Sequence, residues 1–354
     1  MKVLVTGATS LIGAQVVARL VARGDQVTAF QRGVTARPSV PTVDGGIDAA
    51  RADTRVVDPA QDASAATVVL GDVANAAAVA AAVDGHDAVI HLAAKVGVTG
   101  TRDEYTRANV DGTRTVLDAA RTAGVTRFVH VSSPSVAHGG DALVGAGVGP
   151  ADPTATRGHY ATTKAEAELI ALDASADGFA VTAIRPHLVW GPGDTQLIGR
   201  IVDRARQGRL AIVGSGAALI DTTYIDNAAD ALVAALDRGP HVAGQALVVS
   251  NGEPLTVREI LERVTAAAGV APPRLNVPRR VAFAAGLVAE RVWQRTGRLD
   301  DPPMTSFLAE QLSTAHWFDQ RHTRDALAWS PSVSLEEGFE RLAQWYAGQA
   351  HSTA

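Results

Sequence analysis

Tyr160 and Lys164 lie four residues apart in an alanine-rich stretch that predicts a helix, so both side chains leave the same helical face. With four tyrosines and three lysines in 354 residues, a Tyr-x-x-x-Lys pair arises by chance about 0.03 times. A phenol is a poor acid or base at neutral pH. An ammonium beside it stabilises the phenolate and draws its pKa toward the working range, which suits proton exchange with a carbonyl or alcohol oxygen. Lysine serves better than arginine there because its compact charge also reaches ribose hydroxyls. Lysine is also scarce: the basic residues are Lys2, Lys95, Lys164 and 29 arginines. Upstream, Val131-Ser132-Ser133-Pro134 ends an apolar strand-like run. A hydroxyl at the carboxyl end of a parallel strand can hydrogen-bond a substrate carbonyl while the phenol protonates it. Ser133 is the expected donor. Ser132 and Ser135 are the alternatives, because sequence does not fix the strand alternation or the turn that follows.

A second set of residues suits phosphate. Thr6-Gly7-Ala8-Thr9-Ser10-Leu11-Ile12-Gly13 follows an apolar run and opens a helix-like stretch. Backbone N–H groups at such a helix start can hold a pyrophosphate if small residues let it approach. Gly7 and Gly13 meet that need, and Ser10 stands where a middle glycine is usual. Gln31 and Arg32 follow the second run. An acidic side chain there would take a ribose 2′-hydroxyl, whereas arginine suits a 2′-phosphate, so Arg32 favours NADP, with NAD as the alternative. Asp72, in Gly71-Asp72-Val73 after the third run, offers a carboxylate to an adenine edge; its competing reading is a cap on a helix beginning near Ala74. Lys95 ends the fourth run, where its ammonium would hold a substrate carboxylate unless it simply points into solvent.

These residues need a scaffold that brings strand ends together. Lys2–Thr6, Gln26–Phe30, Val68–Leu70, Ala88–Leu92, Phe128–Ser132 and Ala180–Arg185 read as strands too apolar to have a wet face. Helical stretches alternate with them, including Leu11–Arg23, which Gly24 terminates. Such alternation predicts an α/β fold, a Rossmann-type doubly wound parallel sheet. Residues 33–66, rich in Pro, Gly, Asp and Ala, have no period and read as a surface insertion. Gly191-Pro192-Gly193 marks a crossing into a smaller, discontinuous C-terminal substrate region, with helices over Thr256–Ala268 and Leu335–Tyr346. The expected division is 1–187 plus 217–250 for the dinucleotide and 188–216 plus 251–354 for the substrate.

Composition narrows the alternatives. A net charge of -5 argues against nucleic acid, since no excess of cations is present to neutralise phosphates. The absence of cysteine removes thiolate chemistry and Cys-ligated metal, and fits a cytoplasmic protein. Met1 and Lys2 lead straight into a strand-like run, unlike a signal peptide. The apolar segment Val281–Trp293 contains Glu290 and Arg291 and falls short of the roughly 20 residues that span a bilayer, so peripheral lipid contact is the most it would make. Gly214-Ser215-Gly216 lacks the spacing of a nucleophile elbow. His86, His91 and His130 fall in or beside apolar strands, and His316 and His322 have no partner at a ligand spacing, so all read as structural and no metal is expected.

The chain resembles the extended short-chain dehydrogenase/reductase family, also called the NAD-dependent epimerase/dehydratase family. The resemblance rests on TGATSLIG at 6–13, GDV at 71–73, HLAA at 91–94, NVDGT at 109–113, VSS at 131–133, YATTK at 160–164, RPHLVWGPGD at 185–194 and TYIDNAADA at 223–231. It implies NAD(P), catalysis by Ser133, Tyr160 and Lys164, pyrophosphate on Gly7, Ser10 and Gly13, adenine at Asp72, and a homodimer. Within the family, RPHLVWGPGD looks like the 3β-hydroxysteroid dehydrogenase branch. HLAAKVGVTG, SNGEPL at 250–255 and PPMTSFLAEQLST at 302–314 look like a bacterial subfamily that uses NADPH to reduce β-keto acids, the 2-alkyl-3-oxoalkanoates. The reading is therefore an NAD(P)-dependent oxidoreductase that interconverts a ketone and a secondary alcohol on an apolar small molecule. Its rivals are a 3β-hydroxysteroid dehydrogenase, a sugar-nucleotide epimerase or dehydratase, and a non-catalytic NADP-binding redox sensor.

Overall fold

The computed structural model of the chain describes residues 1–33, 66–97, 99–296, 302 and 304–352. In chain order the first half contains β1 (Lys2–Thr6), α1 (Leu11–Ala22), β2 (Gln26–Gln31), β3 (Thr67–Leu70), α2 (Ala76–Val83), β4 (Ala88–His91), α3 (Arg102–Tyr105), α4 (Gly112–Thr122), β5 (Arg127–Val131), β6 (Leu143–Ala146), α5 (Gly158–Asp173) and β7 (Ala180–Pro186). The second contains β8 (Val189–Trp190), α6 (Ile198–Arg206), β9 (Ala211–Val213), β10 (Leu219–Ile220), β11 (Thr223–Tyr224), α7 (Ile225–Arg238), β12 (Ala246–Val249), β13 (Leu255–Thr256), α8 (Val257–Ala267), β14 (Leu275–Val277), α9 (Arg279–Thr296), α10 (Ser306–Gln311), β15 (His316–Phe318), α11 (Arg321–Leu327) and α12 (Leu335–Ser352).

Seven strands form one sheet in the order β12-β7-β5-β4-β1-β2-β3, and every pairing in it is parallel. Helices cover both faces. Val3, Val5, Val129 and Ile184 pack with Val16, Leu20 and Leu232 on one side, while Leu4, Val89, Phe128 and Val181 pack with Val79, Val116 and Ala171 on the other. The inner strands therefore have no wet face, and all seven residues of β7 are buried. Strand β3 departs from that expectation: it lies at the sheet edge, and Val68 and Leu70 are 40% and 55% exposed. The strand order reverses around β1, whose neighbours are β2 and β4, so a crevice opens at the carboxyl end of β1.

Three smaller sheets complete the described strands. One has the order β13-β10-β15-β6, and two pairs join β11 to β8 and β14 to β9. Strands β6 and β10 come from spans that the sequence assigns to the dinucleotide region. Beyond β7 the chain leaves the main sheet through Leu188, whose φ of 42° is unusual for a side chain branched beyond Cβ. From residue 34 to residue 65, the expected surface insertion lies outside the described residues.

A buried ion pair ties α5 to β7. Arg185 and Glu168 side chains are each 1% exposed. Arg185 Nε and Nη2 donate to the two Glu168 carboxylate oxygens at 2.8 and 2.5 Å, and Nη1 donates to the Val148 and Gly149 carbonyls. Glu168 is one helical turn beyond Lys164 and two beyond Tyr160, so the pair fixes the helix face on which both stand.

Candidate active site

The first loop is shaped by what it cannot accommodate. Gly7 has φ +70°, and a Cβ there would lie 2.8 Å from the Ala93 nitrogen and 2.9 Å from the Leu92 carbonyl carbon. At Gly13 a Cβ would lie 2.4 Å from the Gly7 oxygen. Ser10 caps α1: its Oγ accepts from the Gly13 N–H at 3.0 Å and donates to the Gly7 carbonyl at 2.8 Å. The serine hydroxyl thus braces the loop backbone while the helix start stays open. A pyrophosphate fits these residues, because the backbone cradle excludes side-chain bulk and the α1 dipole favours an anion. Next to it, Gln31 is buried with an unpartnered Oε1, a polar group that a ligand at the crevice would satisfy, and Arg32 is exposed. Asp72 accepts from the Ala74 N–H at 3.0 Å and meets Arg107 at 3.4 Å. The helix expected near Ala74 begins at Ala76, and Asn75 caps it.

Burial shapes the Tyr160–Lys164 pair. Lys164 is buried on α5, and its Nζ donates to the Val131 carbonyl at 2.5 Å. Desolvation brings its pKa down to about 8, against the opposing pull of Glu168. Tyr160, half-buried one turn earlier, has its phenol pushed up by burial, with a smaller opposite contribution from a hydrogen bond with Ser133. The simple expectation of a phenol drawn down by the lysine is therefore reversed here. The ammonium is engaged by the Val131 carbonyl, and the loss of water around the phenol outweighs the hydrogen bond with Ser133.

The three candidate serines separate by position. Ser133 caps the short 3₁₀ turn Pro134–Ala137 and receives the Ser135 hydroxyl at 3.0 Å. Ser132 is buried with an unpartnered Oγ. Ser133 is the one that the fold brings to Tyr160.

Residues that sequence reasoning missed hold this group from behind. Asn109 accepts from the Lys95 N–H at 2.7 Å and donates to the Lys95 carbonyl at 3.1 Å and to Thr163 Oγ1 at 3.0 Å, tying the loop after β4 to α5. The NVDGT motif was its signal, but spacing alone assigned it no partner. Lys95 itself turns its ammonium to Glu104 at 3.3 Å, over the Tyr105 ring. His91 bridges Thr6 Oγ1 at 2.7 Å and Thr113 Oγ1 at 3.1 Å, and burial takes its pKa to about 3, in keeping with a structural role. His316, which has no partner by spacing, meets His187 at 3.1 Å in the fold. Among the described residues no group of three or more His, Cys, Asp or Glu side chains is arranged to hold a metal.

Residues 4–279 match the model of the 3-beta hydroxysteroid dehydrogenase/isomerase family. The chain belongs to this family. A 2-alkyl-3-oxoalkanoate reductase of Stenotrophomonas maltophilia is 41% identical over 97% of the chain and 98% of the relative. A 3-beta-hydroxysteroid dehydrogenase of Mycolicibacterium neoaurum is 28% identical over 98% and 91%. Among solved structures, MoeE5 in complex with UDP-glucose and NAD superposes with a TM-score of 0.71 at 24% identity, covering 100% of both chains, a likeness of fold. This member of the 3-beta hydroxysteroid dehydrogenase/isomerase family is accordingly an oxidoreductase of the extended short-chain type.

Because the family member has only three lysines, lysine labelled at Cε gives a three-line carbon NMR spectrum. One line, absent from Lys164→Arg, is expected to titrate near pH 8, with the charged form held below that pH and lost above it. If no line titrates there, the ammonium is not desolvated in the way described.

Proposed function

We propose that the chain reduces the ketone of an apolar β-keto acid, a 2-alkyl-3-oxoalkanoate, to the β-hydroxy acid with NADPH. The observation that carries this reading is identity of 41% along nearly the whole of both chains with a relative of that name. The grouping of Tyr160, Ser133 and Lys164 at the ends of β5 and α5 supplies the chemistry.

The chain's own residues divide the work. Gly7, Ser10 and Gly13 hold the pyrophosphate, Asp72 the adenine edge, and Arg32 the 2′-phosphate. Lys164 takes the nicotinamide ribose hydroxyls. When bound, the reduced nicotinamide supplies the hydride that the carbonyl carbon receives. Ser133 Oγ donates a hydrogen bond to the substrate carbonyl oxygen, and Tyr160 Oη gives that oxygen its proton. A phenol whose pKa is raised is protonated at neutral pH, the state needed to act as acid in the reductive direction. Residues 1–187 with 217–250 serve the dinucleotide, and 188–216 with 251–354 serve the substrate. Lys95 reads the substrate carboxylate. Its present partner, Glu104, is solvent-exposed, so a substrate carboxylate can replace it at small cost.

Tyr160→Phe is expected to lower turnover by roughly 100-fold or more while leaving dinucleotide affinity nearly unchanged, because the phenol handles the proton and holds little of the cofactor. A near-normal rate would remove Tyr160 from the mechanism. Arg32→Ala should weaken NADPH far more than NADH in fluorescence titrations; equal losses, or a wild-type protein that prefers NADH, would reject the 2′-phosphate contact. For the substrate, Lys95→Met is expected to raise KM or lower kcat for a 2-alkyl-3-oxo acid while sparing its methyl ester. Equal losses on acid and ester would release Lys95 from that role and turn attention to uncharged substrates such as steroids.

A further inference from the structure

Helix α9 has a face that the rest of the described molecule leaves bare. Its inner stripe is committed: Ala282 is buried, a Cβ at Gly286 would meet the Thr305–Ser306 backbone at 2.4 Å, and Glu290 accepts from the Ser306 N–H and Oγ at 2.8 and 2.9 Å. These three positions recur every four residues and seat the helix against the start of α10. The other face carries Val281, Val288 and Val292, which are 56%, 59% and 44% exposed, with Ala284 and Ala285 between them. Together they line a shallow apolar trough of about 720 Å³.

The charges around that face share one sign. Arg279 and Arg280 stand at the amino end of α9, Arg291 and Arg295 toward its carboxyl end, and all four are exposed. Glu290 is the only acidic residue of the helix, and it points inward. Cations in the first turn oppose the helix dipole, so helix stability does not explain Arg279 and Arg280. A second copy of the chain is disfavoured as the occupant, because both parallel and antiparallel pairing of two such helices would set arginine against arginine. With 18 residues and a length of about 27 Å, the helix combines an apolar face with cationic ends, the pattern of a segment lying in a bilayer interface. Among the described residues no helix is long and apolar enough to cross a membrane.

We infer that α9 docks the enzyme on an anionic lipid surface, with its valine face in the acyl boundary and its arginines among the headgroups. The inference rests on the geometry of α9 and stands apart from the choice of substrate.

Flotation of the full-length protein with phosphatidylcholine/phosphatidylglycerol vesicles, against vesicles of phosphatidylcholine alone, tests it. Co-flotation is expected only with the anionic vesicles and should weaken as salt rises. Arg280→Glu combined with Arg291→Glu should reduce the partition coefficient by roughly tenfold or more, whereas Arg→Lys at both positions should retain it. Val281→Ser with Val288→Ser should reduce partitioning on anionic vesicles at unchanged thermal stability. All these positions are exposed and outside the catalytic group, so turnover of a short, water-soluble ketone should stay unchanged. Failure of the wild type to float with anionic vesicles would overturn the inference. So would equal binding to neutral vesicles, unaltered binding by the glutamate variant, or a dimer in solution that the serine variant dissociates.

Discussion

The pairing of Glu168 with Arg185 is the constraint on which the site depends. Both ends are excluded from water, and the arginine's remaining donors are taken by the Val148 and Gly149 carbonyls. Removing one partner of such a pair leaves an uncompensated buried charge, at a cost of about 3–5 kcal/mol. The pair also sets position. It pins α5 to β7, the strand beside β5, so Tyr160, Lys164 and Glu168 form one line of side chains facing the strand end that carries Ser133. A helix held only by its alanine face would be free to slide or rotate against the sheet. A two-pronged ion pair adds geometric specificity to that packing.

Desolvation sets the chemistry in that line. The same exclusion of water lowers the pKa of Lys164, raises that of Tyr160 and holds His91 neutral. These shifts work together. Burial favours the protonated phenol, and a neutral His91 adds no further positive charge next to the lysine. The carboxylate of Glu168 limits how far Lys164 falls, so one side chain is both the anchor of the helix and the counter-charge of the site.

The C-terminal segment is held by a small polar junction. Asn227 and Asn251 both donate to the Val333 carbonyl, at 2.7 and 2.9 Å, and Asn227 Oδ1 accepts from the Ser332 and Val333 N–H groups. Beside it, Trp190 stacks on Phe339 at 4.5 Å. Residues far apart in the chain thereby close one wall: α7, the loop after β12, β8 and α12. Helix α9, by contrast, packs chiefly against α10, with Ala282 beside Val213 of β9 and Val277 of β14.

Much of the fold was legible because its signals are local. Continuous apolar runs such as Ala88–His91 and Ala180–Pro186 mark buried parallel strands, Gly24 ends α1, and the TGATSLIG segment states a strand, a turn and a helix start within eight residues. The i, i+4 spacing of Tyr160 and Lys164 likewise follows from helix geometry alone. Sequence could not decide what depends on distant neighbours. Asp72 and Lys95 look free in the chain but meet Arg107 and Glu104 in the fold. Asn109 has no evident partner until α5 is laid beside it, and His187 and His316, 129 positions apart, meet only through the smaller sheet. The direction of the Tyr160 pKa likewise depends on packing. Spacing reports a cation one turn away, but packing engages that cation with the Val131 carbonyl and removes water from the phenol.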